Sequence, residues 1–262
     1  MITKSEIENQ LKKFNSYGKP VIVHTSLKAI GEIEGGADTL LDALVSVFAS
    51  NGGVLCIPTH TWKKCVLDLN KAESCLGVLP TIASARKNGV RSMHPTHSIT
   101  VFGEKAEEFV KNEAFVDSPT NPNGCYGNIL QEKGYVLLIG VGQEKNTLIH
   151  CIEELLEIPN RLTKETITAQ IIDKNGIVTD RKLRWFDPII PDVSVNFGKF
   201  EKAFRYYGAI EDGKLGNAKM QFCSSEKMME ALRIIYSNTK GKEILGDDAP
   251  LDEMLYIMEE KI

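Results

Sequence analysis

The five histidines are the side chains of this sequence with the widest range of possible chemistry. His24 and His60 stand at the ends of predicted strands, and His94 and His97 lie in "RSMHPTHS". His150 belongs to the first turn of a predicted amphipathic helix in "NTLIHCIEELLEIPNR", where the apolar periodicity does not explain it. A histidine can accept a proton, bind a metal or simply hydrogen-bond a loop.

His150 has a potential partner in Glu153, three residues later on the same helical face. A helix N-terminus disfavours a charged imidazole, whereas a neighbouring carboxylate favours it. These opposed effects could keep the pKa of a histidine close to neutral pH. A general base works best when its pKa lies near the pH at which the enzyme works. Charged pairs at this spacing are also common on solvated helix surfaces, and at this point both interpretations stay open.

The spacing of His94 and His97 could suit a metal, but Pro95 prevents the helical face that aligns the ligands of H-E-x-x-H sites. We therefore expect no metal. A metal-dependent hydrolase that uses His24, His60, His94 and His97 remains the alternative enzyme class. For His60 and His97 the favoured interpretation is a hydrogen-bonded loop residue.

The six cysteines form no C-x-x-C pair, which indicates free thiols in a reducing compartment rather than a zinc or disulfide framework. Cys151 follows His150 directly, but neighbours on a helix point about 100° apart and cannot form a nucleophile–base pair. We expect Cys151 to pack in the core.

Three strands must position these side chains. "KPVIVHTS", the helix "GADTLLDALVSVFAS" and "GGVLCIPTH" predict a βαβ unit with parallel strands, and Asp38 or Thr39 could cap the helix. A third buried strand, "GYVLLIGVG", leads through a polar loop into the helix of His150. Ligands of open α/β sheets collect beyond the carboxyl ends of strands, where "HTSLKAIG", "THTW" and "GQEKNT" fall.

The second half of the chain is richer in strands. "TITAQIIDKNGIVTDRKLRWF" alternates around Asn175 and Gly176 as an antiparallel hairpin would, and "NFGKFEKAFRYYG" predicts a helix. A strand in "AKMQFCSS" and a serine-capped closing helix follow. The prediction is an α/β fold with a central mixed, partly parallel sheet flanked by helices and a β-hairpin-containing C-terminal elaboration, forming a single domain over residues 1–262.

Charge and hydropathy restrict the partners. With 31 Lys and Arg against 35 Asp and Glu, the net charge of −4 argues against nonspecific nucleic-acid binding. No apolar stretch is long enough to span a membrane, and the charged start is unlike a signal peptide, so we expect a cytoplasmic protein without membrane contact. The sequence does not predict an oligomeric state.

Four separated blocks between residues 20 and 161 resemble, in order, the aminoglycoside 3-N-acetyltransferase family, the antibiotic acetyltransferases distinct from the GNAT fold. They are "VHTSLKAIGEIEGGADTLLDAL", "RSMHPTHS", "DSP" and "LIGVGQEKNTLIHCIEELLEIPNR". The resemblance implies acetyl-CoA as co-substrate and a small-molecule amine as acceptor. It also implies direct transfer in a ternary complex, with His150 as the base and Glu153 as its partner.

The resemblance also assigns coenzyme-binding residues. The strand-end loop would line the pantetheine and phosphate channel, and the later blocks would face the coenzyme. The assigned residues are Thr25, Ser26, Leu27, Lys28, Gly31, Gly35, Gly36, Arg91, His94, Ser98 and Ser118. Asp187, in "WFDP", is the candidate for acceptor binding.

The acceptor is the least constrained part of this prediction. The segment "LRWFDPIIPDVSVNFGKF" is only moderately acidic, and Lys63 and Lys64 would repel a polycation. An amino sugar of a nucleotide-sugar or glycan precursor is therefore the alternative to an aminoglycoside antibiotic. A non-catalytic coenzyme-binding module is a further alternative, but it would not need His150 together with Glu153.

Overall fold

The computed structural model describes residues 1–239, 246 and 249–257. Its strands are β1 (Val21–Thr25), β2 (Leu55–Pro58), β3 (Val66–Asp68), β4 (Val90–Arg91), β5 (Ile99–Phe102), β6 (Tyr135–Ile139), β7 (Leu162–Ile172), β8 (Val178–Phe186), β9 (Ile210–Leu215) and β10 (Ala218–Ser224). Its α-helices are α1 (Lys4–Leu11), α2 (Leu27–Ile30), α3 (Gly36–Phe48), α4 (Val78–Ala85), α5 (Ala106–Val110), α6 (Cys125–Gln131), α7 (Leu148–Leu155), α8 (Glu201–Tyr206) and α9 (Ser225–Asn238).

Seven strands form the central sheet in the order β4-β5-β2-β1-β6-β10-β9. β1 is parallel to β2 and β6, and the remaining pairings are antiparallel. The predicted mixed, partly parallel sheet with flanking helices is therefore confirmed. The parallel centre places the carboxyl ends of β1, β2 and β6 at one edge, which is where ligand-binding loops are expected.

Two apolar clusters cover the two faces of this sheet. One contains buried residues of α1, α3 and α4, and the other contains buried residues of α5, α6, α7, α8 and α9. The central strands are accordingly apolar on both faces, with all four residues of β2 buried. This double packing holds the ends of the strands in fixed positions.

The first crossover helix, α3, forms in the predicted segment but has a different start from the predicted cap. It begins at Gly36 after Gly35, whose φ of 73° lies in the left-handed region, and no side chain caps the helix start. The prediction that Asp38 or Thr39 caps the helix is wrong, because the left-handed Gly35 turns the chain into α3 before either residue is reached. The predicted apolar face is buried, including Leu40 and Phe48.

A separate three-stranded sheet has the order β3-β7-β8. β7 and β8 pair antiparallel around the predicted turn, with Gly176 at a φ of 81°. The hairpin brings Phe186, at the end of β8, to a ring-centroid distance of 4.6 Å from His150. The predicted C-terminal elaboration thus reaches back to the strand ends of the main sheet.

The last third of the chain follows the prediction with one change. The single helix expected after residue 195 is a 3-10 helix, Val193–Phe200, that continues into α8. β10 forms as predicted, and α9 is capped by Ser224, whose hydroxyl accepts a hydrogen bond from the Lys227 amide. None of the helices among the described residues has the length and hydropathy that a membrane span requires.

Candidate active site

A cavity of about 440 Å³ opens at the carboxyl ends of the parallel strands, and we call it the strand-end cavity. Its wall combines the end of β1, the segment after β2 and the loop that connects β6 to α7. The polar residues on this wall that the argument below uses are His24, Thr25, His60, Lys145, Asn146 and His150.

A second cavity of about 610 Å³ lies between these loops and the β7–β8 hairpin, and we call it the hairpin cavity. Both tryptophans of the chain, Trp62 and Trp185, line it together with Phe186. Two carboxylates, Asp187 and Asp192, belong to the same wall. Carboxylates attract cationic groups, and flat aromatic rings offer a surface to the apolar face of a sugar.

His150 belongs to the walls of both cavities. It shares this position with His60, Trp62, Thr147 and Ser194. A molecule in either cavity therefore reaches the same imidazole. The two cavities meet where a base could act on a group held in one while that group attacks a group held in the other.

The imidazole of His150 is held tightly. Its Nδ1 lies 3.3 Å from Oε2 of Glu153, and its ring packs against Phe186 and against Phe197 at 4.8 Å between centroids. The Glu153 side chain is fully buried, and its Oε1 accepts a hydrogen bond from the hydroxyl of Tyr236 at 3.3 Å. The surface-pair interpretation of His150 and Glu153 is therefore wrong, because one partner is completely covered.

The contact with Glu153 orients the imidazole of His150 through Nδ1. In the tautomer that carries its hydrogen on Nδ1 and donates it to the carboxylate, Nε2 keeps its lone pair. A proton taken up at Nε2 would place a positive charge beside the buried carboxylate, which stabilises it. This is the arrangement of a general base with an orienting partner.

Burial favours the uncharged forms of His24 and His60, two further histidines on the strand-end wall. Burial lowers the pKa of His24 to about 4 and lowers the pKa of His60 well below its usual range. His60 Nε2 lies 2.7 Å from the hydroxyl of Tyr126, and its ring lies 4.4 Å from that of His97. His97 in turn lies 3.0 Å, through Nδ1, from the Thr96 hydroxyl. The interpretation of His60 and His97 as hydrogen-bonded residues agrees with these contacts, although His60 also faces both cavities.

Arg91 and Ser98, expected at the coenzyme, bind other parts of the chain. Arg91 Nη2 donates to the carbonyl oxygens of Thr59 at 2.6 Å and Glu73 at 2.7 Å, and its Nε donates to Ser98 Oγ at 3.1 Å. Burial lowers the pKa of Arg91 to about 10. Neither residue lines a cavity described above, because the guanidinium is used to join the segment after β2 to β4 and β5.

His94 and Ser118 form a second internal connection. His94 Nδ1 accepts from the backbone amides of Thr96 and His97, which leaves Nε2 to donate to the Ser118 carbonyl at 3.0 Å. Ser118 Oγ donates to Glu154 Oε2 at 2.6 Å. Burial lowers the pKa of His94 to about 4. Two of the sequence blocks thus meet behind α7 and hold it in place, without reaching the cavities.

Of the eleven residues assigned to the coenzyme, Thr25 lies on the strand-end wall. Ser26 caps α2, accepting from the Ala29 amide at 3.4 Å, and Gly31 ends that helix with a φ of 92°. Lys28 is exposed outside both cavities. The other assigned residues that line neither cavity are Leu27, Gly35, Gly36, Arg91, His94, Ser98 and Ser118. Asp187 does line the hairpin cavity, and its carboxylate accepts from the Ile189 amide at 2.9 Å.

Several residues on the two walls had no predicted role. Lys145, Asn146 and Thr147 come from "GQEKNT", and Trp62 comes from "THTW". The sequence predicts both segments at strand ends, so the strand–loop–helix pattern carries the signal for these residues. Asp192 carries no such signal, because only the folded hairpin brings it to the cavity.

The structure also bears on two alternative mechanisms, one that uses a bound metal ion and one that uses a cysteine thiol. In the described part of the chain, no three His, Cys, Asp or Glu side chains are grouped in a way that could hold a metal ion. Cys151 is fully buried in the core, as expected. Cys75 lines the strand-end cavity, and burial raises the pKa of its thiol, which disfavours the reactive thiolate.

These features define a class: an α/β protein in which one histidine lines both a strand-end cavity and a second cavity under a hairpin. The sequence profile of the aminoglycoside 3-N-acetyltransferase family matches residues 22–236. The chain belongs to this family, as the resemblance of the sequence blocks indicated.

Individual relatives are distant. The chain is 27% identical to aminoglycoside N(3)-acetyltransferase IX of Micromonospora chalcea over 183 residues, which cover 61% of this chain and 64% of that protein. It is 27% identical to aminoglycoside N(3)-acetyltransferase VII of Streptomyces paromomycinus over 57% of that protein's length. The matches thus span less than two thirds of these relatives. A third relative, the SPbeta prophage-derived aminoglycoside N(3')-acetyltransferase-like protein YokD of Bacillus subtilis, is 21% identical over 95% of its length and 92% of this chain.

Solved structures share the fold. A structure described as AAC-IIIb binary with CoASH has a TM-score of 0.75 at 21% identity, covering 90% of this chain and 97% of that one. The sisomicin-bound AAC-VIa structure has a TM-score of 0.71 at 20% identity, covering 88% and 96%. At this level of identity, the similarity concerns the fold.

Proposed function

We propose that this protein is an acetyl-CoA-dependent N-acetyltransferase that moves an acetyl group to an amine of an aminoglycoside, with His150 as the general base. The observation that carries the proposal is the position of His150, on the wall shared by the two cavities and paired with the buried Glu153. Family membership and the names of the relatives support the reaction class.

In this proposal acetyl-CoA occupies the strand-end cavity and the acceptor occupies the hairpin cavity. Lys145 gives the strand-end wall a cation for a polyanionic donor. Asp187 and Asp192 give the hairpin wall carboxylates for the ammonium groups of the acceptor. The CoA-bound and sisomicin-bound relatives show that proteins of this fold take both kinds of ligand.

The chemistry is a direct transfer. The acceptor reacts as the free amine, after its ammonium form has released one proton to solvent. As the nitrogen lone pair attacks the thioester carbonyl carbon, His150 Nε2 takes a second proton from that nitrogen. The tetrahedral intermediate collapses to the amide, the carbon–sulfur bond breaks, and the proton held by His150 passes to the departing sulfur. Glu153 holds the imidazole and stabilises its charged form while it carries the proton.

A thiol intermediate is not needed. Cys75 is the cysteine on the strand-end wall, and the burial that raises its pKa disfavours a nucleophilic thiolate. Initial-rate kinetics should therefore show intersecting double-reciprocal lines, as expected for a ternary complex. Parallel lines with an acetylated cysteine detected by mass spectrometry would contradict direct transfer.

An amino sugar of a nucleotide-sugar or glycan precursor is the second candidate acceptor. The aromatic wall of Trp62, Trp185 and Phe186, which could pack on a sugar ring, favours it. With this acceptor, the reaction would still be an N-acetylation by acetyl-CoA.

The test is a thiol-release assay with acetyl-CoA, an aminoglycoside panel and a panel of amino sugars and nucleotide-linked amino sugars. We expect thiol release that depends on an aminoglycoside, with an N-acetylated product identified by mass spectrometry. Faster turnover of a nucleotide-linked amino sugar would favour the second candidate. Absence of amine-dependent thiol release across both panels would contradict the proposed activity.

A further inference from the structure

Five of the described residues line both cavities: His60, Trp62, Thr147, His150 and Ser194. In the proposed transfer, an amine held at His150 attacks the thioester carbonyl carbon, so the carbonyl oxygen also lies where the cavities meet. Negative charge develops on this oxygen in the tetrahedral intermediate, and a hydrogen-bond donor fixed beside it stabilises that charge. The four shared residues other than His150 are therefore the side chains that could supply the donor.

His60 is the buried member of this group, with 4% of its surface exposed. Trp62 is 38% exposed, and Thr147 and Ser194 are partly exposed. The hydroxyls of Thr147 and Ser194 can rotate, whereas an imidazole N–H has a direction set by its ring. A donor that is already in place when charge develops stabilises that charge best, which favours the buried ring of His60.

Neighbouring side chains hold the His60 ring. Its Nε2 lies 2.7 Å from the hydroxyl of Tyr126, which is 1% exposed, and its ring lies 4.4 Å from that of His97. His97 lies 5.6 Å from Phe186, and Phe186 lies 4.6 Å from His150, as measured between ring centroids. A continuous series of ring contacts thus connects His60 to the proposed base.

The contact with Tyr126 favours one tautomer of His60. Burial raises the pKa of Tyr126 well above its usual range, so the hydroxyl keeps its hydrogen. Among the described residues, His60 Nε2 is the acceptor within reach of this hydroxyl, and a buried hydroxyl without an acceptor costs stability. Donation from Tyr126 to Nε2 is therefore favoured, and it places the ring hydrogen of a neutral His60 on Nδ1.

The Nδ1–H group of His60 remains open to a ligand. Within the described part of the chain, Nδ1 has no hydrogen-bond partner and is not one of the buried polar atoms without a partner, so it is reached from the cavities that His60 lines. Burial also holds the pKa of His60 well below its usual range, which keeps the ring neutral. A neutral imidazole can donate a hydrogen bond to a developing oxyanion without giving up its proton.

We infer that His60 is a second catalytic residue, whose Nδ1–H donates a hydrogen bond to the thioester carbonyl oxygen. As the amine attacks, the π electrons of the carbonyl move to this oxygen, and the N–H group stabilises the charge. When the intermediate collapses, these electrons re-form the carbonyl and the carbon–sulfur bond breaks, so His60 neither gains nor loses a proton. Tyr126 is a positioning residue that holds the required tautomer. The inference rests on the proposed function.

Two substitutions separate this role from a structural one. The side-chain nitrogen of an asparagine can occupy the position of histidine Nδ1, whereas that of a glutamine can occupy the position of Nε2. We expect His60→Gln to lower kcat by about 10²- to 10³-fold, the effect of losing one oxyanion donor, and His60→Asn to keep a kcat at least about tenfold above that of His60→Gln. The affinity for coenzyme A, which lacks the acetyl carbonyl, should change by less than about threefold in both variants by calorimetry.

A structural role of His60 would give the opposite order. Glutamine can still reach the Tyr126 hydroxyl and asparagine cannot, so His60→Gln would then be the milder substitution. Equal losses of kcat in the two variants, or a smaller loss in His60→Gln, would overturn the inference.

A spectroscopic measurement on the wild-type protein requires neither a variant nor an acceptor. Isotope-edited infrared spectroscopy of acetyl-CoA labelled at the thioester carbonyl reports hydrogen bonding to that oxygen, because a donor lowers the stretching frequency. We expect the band of bound acetyl-CoA to lie below its position in an aprotic solvent, and to move back towards that position in His60→Gln. A band at the aprotic position in the wild type would overturn the inference. Because no amine is present, this result decides the role of His60 even if the thiol-release assay contradicts the proposed function.

Discussion

At the scale of single residues, His150 combines access to both cavities with a buried partner, Glu153. His150→Ala should lower kcat by about 10²- to 10⁴-fold, because general-base assistance contributes about that much, and should leave the affinity for acetyl-CoA nearly unchanged. Steady-state kinetics and calorimetry measure the two effects separately. Full turnover by His150→Ala on a validated acceptor would exclude it as the base.

Glu153→Gln should reduce kcat less than His150→Ala. The amide can still contact the imidazole and the Tyr236 hydroxyl, but it carries no charge to stabilise the protonated ring. The ratio of the two effects, measured on the same acceptor, distinguishes a positioning residue from the base. A larger loss from Glu153→Gln than from His150→Ala would contradict these roles.

Substitutions of two lysines test which cation binds the phosphates of the coenzyme. Lys145 lines the strand-end cavity, whereas Lys28, which the sequence blocks suggested, is exposed outside it. Lys145→Ala should weaken acetyl-CoA binding by about three- to tenfold, since a solvent-exposed ionic contact contributes modestly, and Lys28→Ala should change it less. Calorimetry at low and physiological salt would show the difference. A larger effect of Lys28→Ala would indicate that the loop after β1, and not Lys145, binds the phosphates of the coenzyme.

At the scale of elements, α7 is anchored by Glu154 as well as by its apolar face. The carboxylate accepts from the Ser118 hydroxyl and the Thr120 hydroxyl, both at 2.6 Å, and from the Thr120 amide at 3.2 Å. Burial raises the pKa of Glu154 despite these donors. The helix that carries His150 is thereby joined to the loop before α6.

Glu154→Ala should lower the free energy of unfolding by about 1 to 3 kcal/mol, because it leaves buried donors unpaired. It should also lower kcat, since the position of His150 depends on α7. Urea unfolding and steady-state kinetics measure both. Glu107→Ala, at an exposed glutamate of α5, is the matched control and should change neither. An unchanged free energy of unfolding in Glu154→Ala would show that the apolar face alone holds α7.

At the scale of the whole molecule, buried titratable groups have opposite effects on the free energy of unfolding as pH falls. Burial raises the pKa of Glu113 to about 7, although its carboxylate accepts from the Cys125 amide at the start of α6. Its neutral form is favoured in the folded state, so its contribution to stability is present at low pH and is lost as pH rises through about 7. His24 and His94, with pKa values lowered to about 4, act in the opposite sense and destabilise the fold as pH falls below about 6.5.

Glu113→Gln should therefore make the protein more sensitive to acid. The free energy of unfolding of the wild type relative to the variant should increase as pH falls from about 7 to about 4.5, by about 3 kcal/mol at most. Urea unfolding at several pH values in this range measures the difference. A difference that stays constant with pH would show that Glu113 does not titrate there.

Local patterns determined much of this protein. The apolar runs predicted β1, β2 and β6, the Asn175–Gly176 turn predicted the β7–β8 hairpin, and helical spacing paired His150 with Glu153. These features depend on residues close together in the chain, where backbone geometry and side-chain periodicity act directly. Four short sequence segments, which resemble the family in the same order, also indicated the family membership.

Only the tertiary structure decided which polar groups form hydrogen bonds within the protein and which line a cavity where a ligand could bind. Arg91, His94 and Ser118 have the chemistry of binding residues, yet segments distant in sequence supply carbonyl and carboxylate partners for them. Asn146 and Asp192 reach the cavity walls through the packing of β6 and the hairpin. A hydrogen bond between distant segments depends on their relative position to within a few tenths of an ångström, and residue type and local spacing do not determine that position.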